Sequence, residues 1–157
     1  MTGYERTGVL DNNHIKKPSK ERLERGPVVI IECVENIPCN PCVEVCPISA
    51  IGMEDINDTP DVNLDGCTGC ALCVTECPGL AIFVIDCSED DGCLVTVPYE
   101  YLPVPKKGEV VTALDREGND MGDAEVIRIR ESGMTYAVTL EVEKDKIWDV
   151  RGLKVKK

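Results

Sequence analysis

The chain has 157 residues, 10 of them Cys, and 17 basic against 29 acidic side chains give a formal charge of −12. So acidic a chain gains nothing from counterion release on DNA or RNA, which excludes nucleic acid as a natural partner. Its longest apolar runs, Val28–Ile31 and Leu80–Ile85, fall far short of the roughly 20 residues of a membrane span.

Aromatic residues make up only 4% of the chain. A core that thin usually needs a metal or a cross-link beside it. At about 6% Cys, the chain lies below the roughly 8–10% of secreted disulfide scaffolds. The opening Met1-Thr-Gly-Tyr-Glu-Arg6 has no apolar signal-peptide core. A cytoplasmic setting is therefore expected, where Cys clusters bind metal or do redox chemistry.

Residues 1–26 form a polar arm, basic from Lys16 to Arg25. Pro18-Ser19 before Lys20–Arg25 allows a short helix ended by Gly26-Pro27, and a solvated tail is the other reading. His14, the only His, has no assigned role. Val28–Glu32 is β-branched and apolar enough for a strand. All ten Cys then fall between Cys33 and Cys93. Ala81–Asp86 and Leu94–Val97 read as a hairpin around the turn Ser88–Gly92. Cys87 and Cys93 flank that turn and are expected to pack as small buried residues. A cross-strand disulfide between them fits a reducing compartment poorly.

Pro98, Pro103 and Pro105 mark an expected domain boundary. Beyond it, Met134, Tyr136, Val138, Leu140 and Val142 alternate with polar or small residues, the period of a half-buried strand. Glu109–Leu114 and Glu125–Arg130 read as further strands, with Ile147–Val150 as a possible fourth. The expected class is α+β. An arm (1–26) leads into a cysteine-rich domain (27–98), and a small antiparallel β domain (99–157) caps it or docks a partner.

The cysteine array is the informative part. Cys67-Thr-Gly-Cys70-Ala-Leu-Cys73-Val-Thr-Glu-Cys77-Pro78 is C-x2-C-x2-C-x3-C-P at every position. Three Cys at this spacing wrap a tight loop around one iron–sulfur cubane, and the fourth points away toward a second. Pro78 turns the chain there, and Gly66 and Gly69 leave room for the backbone beside a cluster. The pattern repeats 31 residues earlier, where Cys42-Val-Glu-Val-Cys46-Pro47 aligns with Cys73–Pro78 and Cys39 with Cys70. Asn36 stands where the first Cys belongs, and Cys33 lies three residues before it.

In these two runs the chain resembles two-cluster bacterial-type ferredoxins over about residues 28–98. The resemblance implies two 4Fe–4S clusters. Cluster A would take Cys39, Cys42 and Cys77; cluster B would take Cys67, Cys70, Cys73 and Cys46. Cys33 is either the fourth ligand of A or a free thiol beside a three-ligand 3Fe–4S cluster. Ile48, Ile51, Leu80, Ile82 and Val84 would shield the clusters from water. Zinc also favours C-x2-C pairs, but nothing in zinc chemistry calls for C-x2-C-x2-C-x3-C-P.

Cubanes with all four positions filled by Cys pass single electrons and offer no open site for substrate. The chain has no nucleotide fingerprint and no Ser/His/Asp set, so no catalytic site of its own is expected. The segments flanking the cluster region favour a docked subunit over a free carrier. More loosely, Gly26–Cys42 and Pro98–Pro103 resemble the small 4Fe–4S subunits of flavin-dependent amino-acid or amine dehydrogenases of anaerobic bacteria and archaea. That resemblance implies a hetero-oligomer with a flavoprotein as redox partner. A free acidic ferredoxin with an accessory domain and an Fe–S redox sensor are the other readings. Eight thiolates around two 2+ cubanes bring the charge to about −16, so a basic docking face is expected on the partner.

Overall fold

In the computed structural model, which describes residues 3–156, the β-branched run Val28–Ile31 forms strand β1. Ahead of it lie helix α1 (Gly3–Thr7), a 3-10 turn (Asn12–His14) and helix α2 (Lys20–Arg25). Ser19 caps α2, its Oγ accepting the Arg22 N–H at 3.1 Å. Ile15 and Leu23 are buried in the main core, so this part of the arm is docked structure and not a solvated tail.

After β1 come α3 (Pro41–Val45), β2 (Ile51–Gly52), β3 (Asp61–Val62) and α4 (Leu72–Glu76). The rest is β4 (Ile82–Asp86), β5 (Cys93–Tyr99), β6 (Val110–Leu114), β7 (Asp120–Ser132), β8 (Thr135–Val142), a 3-10 turn (Lys144–Lys146) and β9 (Gly152–Lys154). Among the described residues no helix is long and apolar enough to cross a membrane.

Seven of the strands form one antiparallel sheet in the order β1-β4-β5-β8-β7-β6-β9, and β2 pairs with β3 in a separate ribbon. Edge strand β9 also lies against β5, so the sheet curls on itself. Its inner face carries Val28, Ile30, Phe83, Ile85, Val95, Val97, Val111, Val126, Val138 and Leu140. The outer face of β1 and β4 presents Val29, Ile82 and Val84 to α3 and α4, where Cys42, Ile51, Cys73 and Val74 complete a second core. β1 and β4 are thus covered on both sides, which is why their sequences are apolar runs without alternation.

The sheet runs across the expected boundary at residue 98. β5 contains Pro98 and pairs with β8 from Cys93↔Val142 to Tyr99↔Tyr136. The C-terminal strands therefore extend the sheet begun by β1 and β4. β8 departs from simple alternation for the same reason. Val138 and Leu140 are fully buried as the period requires, yet Thr135, Ala137 and Thr139 are buried too, and Met134 is 89% exposed. α4 packs on the outer face of β8 and covers what would be its solvent side. Ile147–Val150 is not a strand. Lys144–Lys146 turns the chain there, and Asp149 and Val150 donate back to Lys146 O, so the last strand starts only at Gly152.

Candidate metal centre

The duplication holds in the backbone. α3 and α4 are offset by 31 residues at both ends. Cys46 and Cys77 cap them with φ/ψ of −67/113° and −71/114°. Three residues on, Ser49 and Leu80 both sit at φ 53°, a left-handed position unusual for side-chain-bearing residues. Ser49 N–H donates to Cys46 O and Leu80 N–H to Cys77 O. Ala50 N–H then reaches Cys46 Sγ at 3.3 Å, and Ala81 N–H reaches Cys77 Sγ at 3.5 Å. Each Cys-Pro turn therefore aims amide donors at its sulfur, the arrangement that stabilises a bound thiolate.

The free cysteines line two cavities, and membership crosses between the repeats. One is lined by Cys33, Cys39, Cys42 and Cys77, the other by Cys46, Cys67, Cys70 and Cys73. Cys42 and Cys73 are buried, on α3 and α4, and Cys70 alone of the eight is exposed. Ile51, Ile82 and Val84 are buried beside them, whereas Ile48, expected as shielding, is 46% exposed.

Burial pushes the Cys73 thiol up to about 12, and neighbouring Cys67, Cys70 and Cys42 add to the shift. Cys33 and Cys42 are raised for the same first reason, with Cys77 and Cys39 adding negative charge. Burial also acts on Cys46, but the N–H groups of Ile48, Ala50, Ile51 and Ser49 outweigh it and lower that thiol. Four thiolates share one such cavity only with positive charge between them, so metal binding and proton release go together here. Among the described residues no three His, Cys, Asp or Glu side chains close on the position of a single ion. Four Cys sulfurs line each cavity, and that donor set fits 4Fe–4S chemistry.

Arginines from outside the array hold its loops. Arg22, buried on α2, donates to the carbonyls of Leu64, Gly26, Pro27 and Cys67, the last at 2.6 Å. Arg130 on β7 donates to Ala71 O at 2.6 Å, fixing the start of α4. Glu32, next to Cys33, receives a two-point contact from Arg116 and a 2.6 Å bond from Arg151. Burial raises the Glu32 pKa, but these two arginines outweigh it and hold the carboxyl below its ordinary value. Arg151 also lies over the Phe83 ring, 5.0 Å from its centroid, and its Nη2 is buried without a hydrogen-bond partner.

None of these five residues was found from the sequence. Only Glu32 left a trace there, as an acid ending an apolar strand beside a ligand. Gly69 has a second use beside the expected one. At φ 69°, a Cβ there would stand 2.4 Å from Pro27 Cβ and 2.6 Å from the Pro27 backbone. The glycine admits the N-terminal segment over the cluster loop, and its N–H still donates to Cys67 Sγ at 3.3 Å.

Cys87 and Cys93 are buried, as expected, but they are bonded to each other. The turn after β4 brings their Cα atoms to 4.4 Å, within disulfide range. They stand apart from both cavities.

Residues 32–81 match the 4Fe-4S dicluster domain family. An uncharacterized ferredoxin of Methanocaldococcus jannaschii is 38% identical over 63 residues, 40% of this chain and 38% of the relative. Hydrogenase-4 component A of Escherichia coli is 43% identical over 57 residues, 36% of this chain and 25% of the relative. Protein NrfC of Escherichia coli is 41% identical over 44 residues, 28% of this chain and 20% of the relative. The chain thus spans two fifths or less of the length of each. No solved structure matches it. These findings define a 4Fe–4S ferredoxin-type domain.

Proposed function

We propose that the chain carries two 4Fe–4S clusters and is the iron–sulfur subunit of a larger oxidoreductase. Cluster A is held by Cys33, Cys39, Cys42 and Cys77, and cluster B by Cys46, Cys67, Cys70 and Cys73. The observation that carries this reading is the crossed sharing of the two cavities. Cys33 lines the first cavity, which supports it as the fourth ligand over the three-ligand alternative.

A 4Fe–4S cluster supplies one-electron transfer when bound. The protein's part is to hold thiolates, donate N–H groups to sulfur and exclude water. Cys42 and Cys73, at equivalent positions of adjacent helices, belong to the same buried cluster between the two sites. The subunit reading rests on the sheet, from whose side Arg130 holds the start of α4 and Arg116 and Arg151 hold Glu32 beside Cys33. The resemblance to amine dehydrogenase subunits makes a flavoprotein the specific partner proposed, delivering electrons from flavin.

Gel filtration of an anaerobic native extract tests the subunit reading. The chain is expected in a complex well above its own 17.2 kDa, together with a flavoprotein. Elution as a monomer would favour the free, diffusible ferredoxin instead.

A further inference from the structure

Charge is distributed unequally around the two tetrads. Arg22 is 5% exposed, and all four of its acceptors are backbone carbonyls, Cys67 O among them. Carbonyl dipoles make burial of the guanidinium tolerable without cancelling its net charge. Arg130 binds Ala71 O, between Cys70 and Cys73 in sequence, and with Arg128 it lines the cleft that reaches Cys70. Asp86 is the one acid on that cleft among the described residues.

The Cys33/Cys39/Cys42/Cys77 cavity has the opposite character. Glu32, Glu35 and Asp58 line it, and no Lys or Arg does among the described residues. Arg116 and Arg151 answer Glu32 from behind the wall. Their one surplus charge is exceeded by Glu35 and Asp58.

We infer that Arg22 and Arg130 hold cluster B at the higher reduction potential, making it the cluster that takes the first electron and the exit side of the relay at exposed Cys70. This rests on the two-cluster reading above. Reduction adds one electron to a group already surrounded by four thiolates, so nearby positive charge stabilises the reduced form more than the oxidised one. Electrons entering at cluster A then run downhill to B.

The test is an anaerobic potentiometric titration of the holoprotein, with dithionite as reductant and EPR as readout. It compares the native chain with Arg22→Gln, Arg130→Gln and Arg130→Lys, each first assayed for iron. In both Gln variants the higher midpoint potential falls while the lower one stays. The expected size is about tenfold in the reduction equilibrium, or about 59 mV for one electron. Arg130→Lys restores most of the native value, because it keeps the charge and changes only the bond geometry.

A shift confined to the lower potential, an equal shift of both, or no shift in variants that keep about eight irons would overturn the inference and leave the two-cluster reading standing. A native chain that binds only about four irons defeats that reading itself, before any titration. If Arg22→Gln does not retain clusters, the half-buried Arg130 pair decides the question.

Discussion

Between Cys33 and Ala81 the chain has two five-residue helices and two two-residue strands, whereas the sheet beside it runs to seven strands with Val28, Val95, Val111, Val126, Val138 and Leu140 at 0% exposure. Helices of one turn and a bit do not persist by themselves. The lobe is held by duplicated turns, by thiols that lack counter-charge without metal, and by arginines reaching in from outside. The sheet has a conventional apolar core and needs none of these. One region folds around its cofactor and the other acts as the frame for it, and the two meet through the second apolar core and a handful of charged contacts.

The sharpest way to break that division is at a ligand. Cys73→Ser removes a buried sulfur from the lobe. Loss of at least one cluster is expected, with protease sensitivity appearing within residues 32–81 while the sheet stays protected. Hydrogen exchange reads both at once, and uniform loss of protection would show that the sheet is not independent.

Next in size is the seam. Glu32→Ala leaves Arg116 and Arg151 buried without their carboxylate, a change worth about 3–5 kcal/mol in denaturant titration. The pH dependence follows from the lowered Glu32 pKa. A carboxyl depressed in the folded state contributes stability above its unfolded value, near 4.5, and loses it as pH falls through the folded value. The native chain should therefore weaken below about pH 4.5, and Glu32→Gln should lack that component of the acid transition. An identical acid profile in the two proteins would contradict the role given to this network.

Gly69→Ala is smaller but local. Both the φ of 69° and the 2.4 Å approach to Pro27 disfavour a methyl group, at a cost of about 3 kcal/mol. The expected readout is faster iron loss to a chelator, with little change in the far-UV signature of the sheet. Smallest is Cys87→Ser. The disulfide closes a short loop, so its removal costs about 2 kcal/mol under oxidising conditions. Iron content should not change, and a fall in iron would mean that Cys87 or Cys93 touches a cluster.

The cluster lobe was far more legible in sequence than its frame. Ligand spacing is a local property, so Cys67–Pro78 and its echo at Cys39–Pro47 were readable directly, as were the hairpin strands β4 and β5. The crossed cavities follow the resemblance, and Cys33 could be named because the chain offered a Cys near the missing position. What escaped depends on contacts distant in sequence. Arg22 meets Cys67, Arg130 meets Ala71, and Arg151 meets Glu32 119 residues away. Nothing in local pattern announces such pairs. The continuity of the sheet across residue 98 escaped for a related reason. Pro98 reads as a breaker, yet it lies inside β5, opposite Ala137 of β8. The alternation in β8 pointed to a solvent face because the helix that covers it comes from the cysteine repeat.

The central claim is that cysteines cross between the repeats to hold two cubanes. Anaerobic iron and sulfide analysis, with EPR of the reduced protein, tests it directly on the native chain and on Cys46→Ala and Cys77→Ala. The native chain should hold about eight irons and eight sulfides, with two magnetically interacting clusters on reduction. Cys46→Ala should perturb the signal of the cluster bound by Cys67, Cys70 and Cys73, and Cys77→Ala the other. About four irons in the native chain, zinc in place of iron, or both variants disturbing the same cluster would contradict it.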